Sequence, residues 1–259
     1  MIPPAIACGT LITMPDWQAE AIILSVRPHG EGSAVLSVLT ADHGRHAGLV
    51  RGGNSSKMRG IIQPGNLVRV IWRARLSDHL GQMQIELIKS IPALLLDSPL
   101  RLAGVASMCA LLQGTLPERE VQQSLYEGSL ALLDLIIMDD ESAGWLEGYV
   151  RWELGLLAAA GYRLDLARCV ASGKTADLAY VSPKSGGAVA TSEAGIFANR
   201  LLILPKFLGG VLSAKHDWIA GLKLTGHFLS KRVFAAHNLD LPTQRNRLAD
   251  MVDNRYNIR

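Results

Sequence analysis

The first third of the chain is built from short apolar runs broken by turn residues. Trp17 to Val26 is an apolar run rich in β-formers, closed by Pro28-His29-Gly30-Glu31-Gly32. Ser33 to Thr40 alternates Ala34, Leu36 and Val38 against Ser33, Val35 and Ser37, and Ala41-Asp42-His43-Gly44 turns the chain again. Arg45 to Arg51, Leu67 to Arg75 and Gln82 to Lys89 read as three more strands, with Gly52-Gly53-Asn54-Ser55-Ser56 and Pro64-Gly65 as punctuation. Short strands at this spacing, with glycines where positive φ is needed, predict a small closed sheet. The OB-fold is the five-stranded barrel of that size.

From Ser98 the period becomes helical. Thr115-Leu116-Pro117-Glu118 has the spacing of a capping box. Val121, Leu125, Leu132, Leu133 and Ile136 then follow as one apolar stripe. A helix opened by Ser142 is expected to run through Trp145, Tyr149, Trp152, Leu156 and Leu157 to a C-terminal Gly161. Turn-rich sequence around Cys169–Gly173 and Pro183–Gly187 flanks a strand-like Ala179–Val181, which predicts a hairpin insert over 164–200. Helical period returns over Asp217–Ala236, and a Pro242-led segment ends near Val252. The expected architecture is α+β. A barrel over 16–91 is followed by a mostly α-helical domain over 92–259, and residues 1–15 stand apart. Their Pro3-Pro4 and Gly9-Thr10 read as no element. Translation starting at Met14 is one reading of them, and a short disordered tail is the other.

Composition sharpens this picture. With 49% hydrophobic and 19% charged residues over 259 positions, the chain can bury a core and is not disordered. Its three cysteines, Cys8, Cys109 and Cys169, lie far apart, which excludes a disulfide framework and fits a reducing compartment. The apolar runs are too short to span a bilayer, and the N-terminus lacks the basic start of a signal peptide.

Charge is segregated along the chain. Residues 1–90 carry nine Lys/Arg against six Asp/Glu, residues 91–199 seven against thirteen, and residues 200–259 ten against four. From His43 to Ser77 there is no acidic residue, and Arg45, Arg51, Lys57, Arg59, Arg69, Arg73 and Arg75 all fall within those 35 positions. Period two in Leu67–Arg75 puts Val68, Val70, Trp72 and Ala74 on the inner face. Arg69, Ile71, Arg73 and Arg75 share the outer one, with the guanidinium groups spread over roughly 20 Å. A line of cations suits a polyanion such as a nucleic-acid backbone. The competing reading is a solvated barrel face. Aromatic residues are only 5% of the chain, and Trp72 is predicted inward, so phosphate contacts are expected to dominate over base stacking.

Nothing here points to an enzyme. There is no G-x-S-x-G, and Gly52-Gly53 lacks the Gly-Lys-Ser/Thr ending of a phosphate-binding loop. His29, His43 and His46 sit in turns or at a strand edge with no cysteine to complete a ligand set, and are expected at the surface.

The order of these parts resembles the RecO family of recombination mediators. The resemblance is carried by Glu20 to Glu31, which includes Arg27, and by Leu39-Thr40, His43-Gly44-Arg45, Val50-Arg51-Gly52-Gly53 and Pro64-Gly65-Asn66-Leu67-Val68. A second anchor is Arg151-Trp152-Glu153-Leu154, Ala160-Gly161-Tyr162, Leu166 and Cys169. The resemblance implies an N-terminal OB domain, a helical domain and a zinc-knuckle-like insert. It implies a bacterial, cytoplasmic, nucleoid-associated protein without enzymatic activity. Such proteins bind single- and double-stranded DNA and anneal complementary strands. With RecR they help RecA load onto DNA covered by single-stranded DNA-binding protein (SSB). The residues expected on DNA are Arg27, Arg45, Arg51, Lys57, Arg59, Arg69, Arg73 and Arg75. The acidic, apolar-ended SSB tail needs an apolar groove with a basic rim. Arg151, Arg163 and Arg168, or Lys223, Lys231 and Arg232, are the basic exceptions in the helical region. The knuckle departs from its metal-binding relatives: Ser172 stands three positions after Cys169, and Val189–Glu193 has no cysteine. One thiol cannot make a structural zinc site, so no cofactor is expected. The alternative class is an OB-fold module for RNA or a ribosomal partner.

Overall fold

The computed structural model describes residues 16–76, 78–138, 144–212 and 217–256. The readings placed on residues 1–15 and on Ser142 lie outside them.

The N-terminal unit is a five-stranded barrel. Its strands are β1 (Asp16–His29), β2 (Ser33–Thr40), β3 (Gly44–Arg51), β4 (Leu67–Arg73) and β5 (Gln82–Lys89), in the order β1-β2-β3-β5-β4. β1 is long enough to serve twice. Its first half pairs with β4 (Trp17 opposite Trp72) and its second half with β2 (Arg27 opposite Val35). β3 and β5 meet in parallel at Leu49 and Gln82, and this short contact closes the ring. Helix α1 (Ser56–Ile61), capped by the Ser55 hydroxyl, follows β3 and packs Met58 and Ile61 against the barrel core.

The inner face is as period two predicts: Val68, Val70, Trp72 and Ala74 are buried with Ala21, Ile23, Leu36 and Met83. Ile22, Leu24 and Leu39 point the other way, into a second core formed with the helices. β1 is therefore covered on both faces, which explains its unbroken Ala21-Ile22-Ile23-Leu24 run.

The helical unit holds α2 (Pro99–Thr115), α3 (Gln123–Met138), α4 (Trp145–Ala159), α6 (Asp217–Phe228) and α7 (Thr243–Tyr256). Three details differ from the sequence reading. Thr115 ends α2 and does not cap α3, and Val121 lies exposed outside the α3 stripe. Pro117 breaks the chain there, and Glu118 turns instead to Arg45. The expected Asp217–Ala236 helix is α6 as far as Phe228, then a π-helical stretch over Leu229–Phe234. Gly161, at φ +86°, ends α4 as expected.

The insert is a four-stranded sheet, order β6-β8-β7-β9. Its strands are β6 (Asp165–Cys169), β7 (Leu178–Val181), β8 (Gly187–Ala190) and β9 (Leu202–Ile203), with the short α5 (Thr191–Ala194) between β8 and β9. β7 and β8 form the expected hairpin. Cys169, Leu178, Val181, Ala188 and Ala190 belong to the same core as α2, α3 and α4, so packing anchors the sheet. The Cys169 Sγ accepts the Ala190 N–H at 3.4 Å. Burial raises this thiol, but hydrogen bonds from the Ser172 hydroxyl and from the Ala190, Ser172 and Ala171 backbone outweigh it and bring it to about 7. Hydrogen bonds of this kind would suit a metal-bound thiolate, but one thiol with no second beside it does not make up the ligand set of the zinc that a knuckle would hold. Among the described residues no three His, Cys, Asp or Glu side chains converge as a metal-binding group.

Candidate nucleic-acid interface

The basic segment forms two strands and a helix on one side of the barrel, but the fold does not leave all its cations available. Arg69 stands directly opposite Glu20 of β1 and Glu86 of β5, at 3.7 and 3.1 Å. Arg73 stands opposite Asp16, at 3.8 Å. The outer face of β4 is thus a row of cross-strand ion pairs, each weak in water but enough to cancel much of the local field. The expected line of three unopposed guanidinium groups is not there, and it also ends early, because β4 stops at Arg73 and Arg75 belongs to the following loop.

Arg45 is placed elsewhere again. Its side chain is only 13% exposed, and it joins the barrel to the α2–α3 connection. Nε donates to the Leu116 carbonyl at 2.7 Å, Nη1 reaches Glu118 at 3.2 Å, and the Arg45 carbonyl accepts the Arg119 N–H at 2.7 Å. Arg45 is thus a clasp between the barrel and the α2–α3 connection.

The remaining cations gather at the β3–β5 seam. One hollow of about 650 Å³ is lined by Leu49, Arg73, Arg75, His79 and Gln82. A second of about 400 Å³ is lined by Leu49, Arg51, Met58, Arg73 and Gln82. They share Leu49, Arg73 and Gln82, and no carboxylate lines either. Arg51 and Arg75 make no ion pair among the described residues. Lys57 and Arg59 project from the adjacent α1, where Arg59 also donates to the Asn54 carbonyl at 3.1 Å. Arg27 is exposed on β1, across β2 from the seam. The fold therefore brings together Arg51, Arg73 and Arg75, with Lys57 and Arg59 beside them. It sets Arg45, Arg69 and Arg27 apart.

The barrel mouth holds rings that sequence reasoning placed differently. His46 was expected at the surface and is only 5% exposed, wedged edge-on against Trp17 and Trp72 at 5.1 and 4.7 Å. Neither of its ring nitrogens has a hydrogen-bond partner among the described residues. Burial, aided by the charges of Arg119 and His43, lowers its pKa to about 4, so it is neutral. Even-numbered residues of β3 face inward, and Gly48 and Val50 share that side. The alternation Gly44, His46, Gly48, Val50 was the available signal.

The helical unit carries a second candidate surface. Between α3 and α4 lies an apolar groove of about 620 Å³, walled by Leu125, Leu132, Leu135 and Trp152 over Gly128, Gly148 and Gly155. Arg151 and Arg163 stand on its rim. Arg151 also donates to the Phe207 carbonyl and lies over that ring at 5.5 Å. The two helices are locked by Trp152 Nε1 donating to the Ser129 hydroxyl at 3.0 Å.

A closed five-stranded barrel with a helix between its third and fourth strands, clasped to a helical unit with a β insert, defines a two-part OB-barrel protein. Models of the families "Recombination protein O N terminal" and "Recombination protein O C terminal" match residues 14–91 and 96–239. The chain belongs to the RecO family, and membership places it among DNA repair proteins. It is 46% identical over 238 residues to the DNA repair protein RecO of Rhodospirillum centenum, covering 91% of this chain and 94% of that one. The Rhodospirillum rubrum protein is 44% identical over 242 residues, covering 92% and 96%. That of Ruegeria sp. is 46% identical, covering 93% and 99%. Among the described residues no helix is long and apolar enough to cross a membrane.

Proposed function

We propose that this protein is a non-enzymatic recombination mediator of the bacterial nucleoid. In this reading it binds single- and double-stranded DNA through the barrel and anneals complementary strands. With RecR it helps RecA replace SSB. The observation that carries it is the seam between β3 and β5, where Arg51, Arg73 and Arg75 line two joined hollows free of carboxylates. Phosphates approaching there meet Arg51 and Arg75, which make no ion pair among the described residues, and Arg73, whose partner Asp16 lines neither hollow, whereas on the outer face of β4 they meet Arg69 already held between two glutamates.

The α3–α4 groove supports the SSB part of the reading. An acidic peptide ending in apolar residues would bury its end against Leu132 and Trp152 and present its carboxylates to Arg163 and Arg151. A Cβ on Gly155 meets nothing within 4 Å, so the groove can be filled without disturbing the helix pair.

The test is annealing of complementary strands, bare and SSB-coated, across a salt series. With Arg51, Lys57, Arg73 and Arg75 engaged, log affinity for single strands should fall against log salt with a slope of about −3. Salt-sensitive annealing that persists on coated strands fits the proposal. A slope near zero, or a preference for structured RNA over single-stranded DNA, would overturn it.

A further inference from the structure

The barrel mouth carries a set of stacked rings that begins in the barrel core and continues beyond it. Trp72 is buried in the barrel interior at 2% exposure. Trp17, directly opposite on β1, stacks on it at 5.8 Å and 16°. Trp17 also stacks on His43 of the β2–β3 turn, at 4.3 Å and 18°. Three near-parallel rings therefore run from the core outward, with Trp17 common to both stacks, and Trp17 and His43 are half-buried. His46 stands edge-on behind them and fixes their spacing.

The turn that carries the outermost ring is braced. The His43 backbone N–H donates to the Thr40 hydroxyl at 3.0 Å. Gly44 has φ +61°, and a Cβ there would fall 1.9 Å from the Glu120 carbonyl oxygen, so the α2–α3 connection presses directly on the turn. The inner end is held too. Trp72 Nε1 donates to the Leu80 carbonyl at 3.0 Å, and a Cβ on Gly81 would meet the indole at 2.4 Å. Leu80 and Gly81 also line the hollow with Arg73 and Arg75, so the ring stack and the basic seam share one loop.

We propose that His43 is a stacking platform for one unpaired nucleobase, on a strand whose backbone runs on toward Arg73 and Arg75 at the edge of the basic seam. This rests on the nucleic-acid reading above and adds how single strands are told from duplex. Asp42, next to His43 in the turn, and Glu120, whose backbone lies against Gly44, are both exposed, so this corner favours a neutral base over a phosphate. A base face is neutral and sequence-tolerant, and a pre-formed ring stack loses little freedom on accepting one. A paired base has both faces occupied and gains nothing.

The test compares the full chain with His43→Ala and His43→Phe on three probes at low salt: an oligothymidine, an oligomer of the same length with abasic sugars, and a duplex. Melting curves establish that both variants are folded. The wild type is expected to bind the oligothymidine about 5- to 10-fold more tightly than the abasic strand. His43→Ala should lose that preference, His43→Phe should restore it, and duplex affinity should stay within about twofold throughout. A His43→Ala variant that keeps the preference, or one that loses abasic and normal strands equally, would overturn the platform while leaving DNA binding intact. A wild type that binds none of the three probes would remove the nucleic-acid reading and the platform with it.

Discussion

Individual charged and polar side chains in this protein have different tasks from those their neighbours in sequence suggest. Glu153 and Arg245 are both buried. Arg245 Nε meets Oε1 at 2.5 Å and Nη2 meets Oε2 at 3.0 Å, while Thr225 and the Leu222 carbonyl complete the network. Breaking one partner leaves an uncompensated charge in the core, so Arg245→Leu is expected to cost about 3–5 kcal/mol in denaturant melts. Arg45 should behave like a clasp. Arg45→Ala is expected to lower stability by about 2 kcal/mol and leave the salt slope of DNA binding unchanged. His46 has a pH signature. Its folded pKa of about 4 lies below the unfolded value, so the unfolded chain binds more protons between those two values. Its contribution is full above about pH 6.5 and is lost as pH falls through that window. Between about pH 7 and about pH 5 the loss should be on the order of 2 kcal/mol, and His46→Phe should flatten it.

At the scale of elements, pairing between strands decides which cations can act. Arg69, opposite Glu20 and Glu86, and Arg51, at the end of β3 with no such partner, are indistinguishable in a sequence window that holds no acid. Arg69→Ala is therefore expected to change single-strand affinity by less than about twofold. Joint replacement of Arg51, Lys57 and Arg75 by Ala should flatten the salt slope by about 2 and weaken all sequences alike. The insert makes a separate point. Its sheet is packed into the helical core through Val181, Ala188 and Ala190, so chelator treatment is expected to leave the melting temperature unchanged. A stoichiometric zinc signal in the purified protein would contradict this. In the α3–α4 pair, Gly155→Leu should fill the groove and abolish binding of an acidic, apolar-ended peptide, measured by fluorescence anisotropy, without loss of helix content.

Across the whole molecule, the two units meet through β1 and through the α2–α3 connection. Ile22 and Leu24 face the helices, while Ala21 and Ile23 face the barrel. Tyr126 donates to the Glu20 carbonyl at 3.3 Å, and Lys89 reaches Asp134 at 3.3 Å. The connection crosses the barrel mouth beside the ring stack, and Arg119 Nη2 donates to the His79 carbonyl at 3.0 Å. The loop that borders the basic seam is therefore tied to the helical unit.

Local periodicity was sufficient for the barrel strands, for most of the long helices, for the inward face of β4 and for the hairpin of the insert, but not for α1, β6 or β9. These depend on interactions two to four residues apart, which the order of side chains records directly. The ordered motifs also pointed to the family, because Glu20–Glu31 and Arg151–Leu157 carry its pattern at the right separation. The availability of each arginine, the burial of His46 and the meeting of Trp17, Trp72 and His43 were settled only by the tertiary fold. Glu20 is 49 positions from Arg69, and Trp17 is 55 from Trp72. Barrel closure makes them neighbours, and no local signal encodes which carboxylate or which ring will stand across a strand.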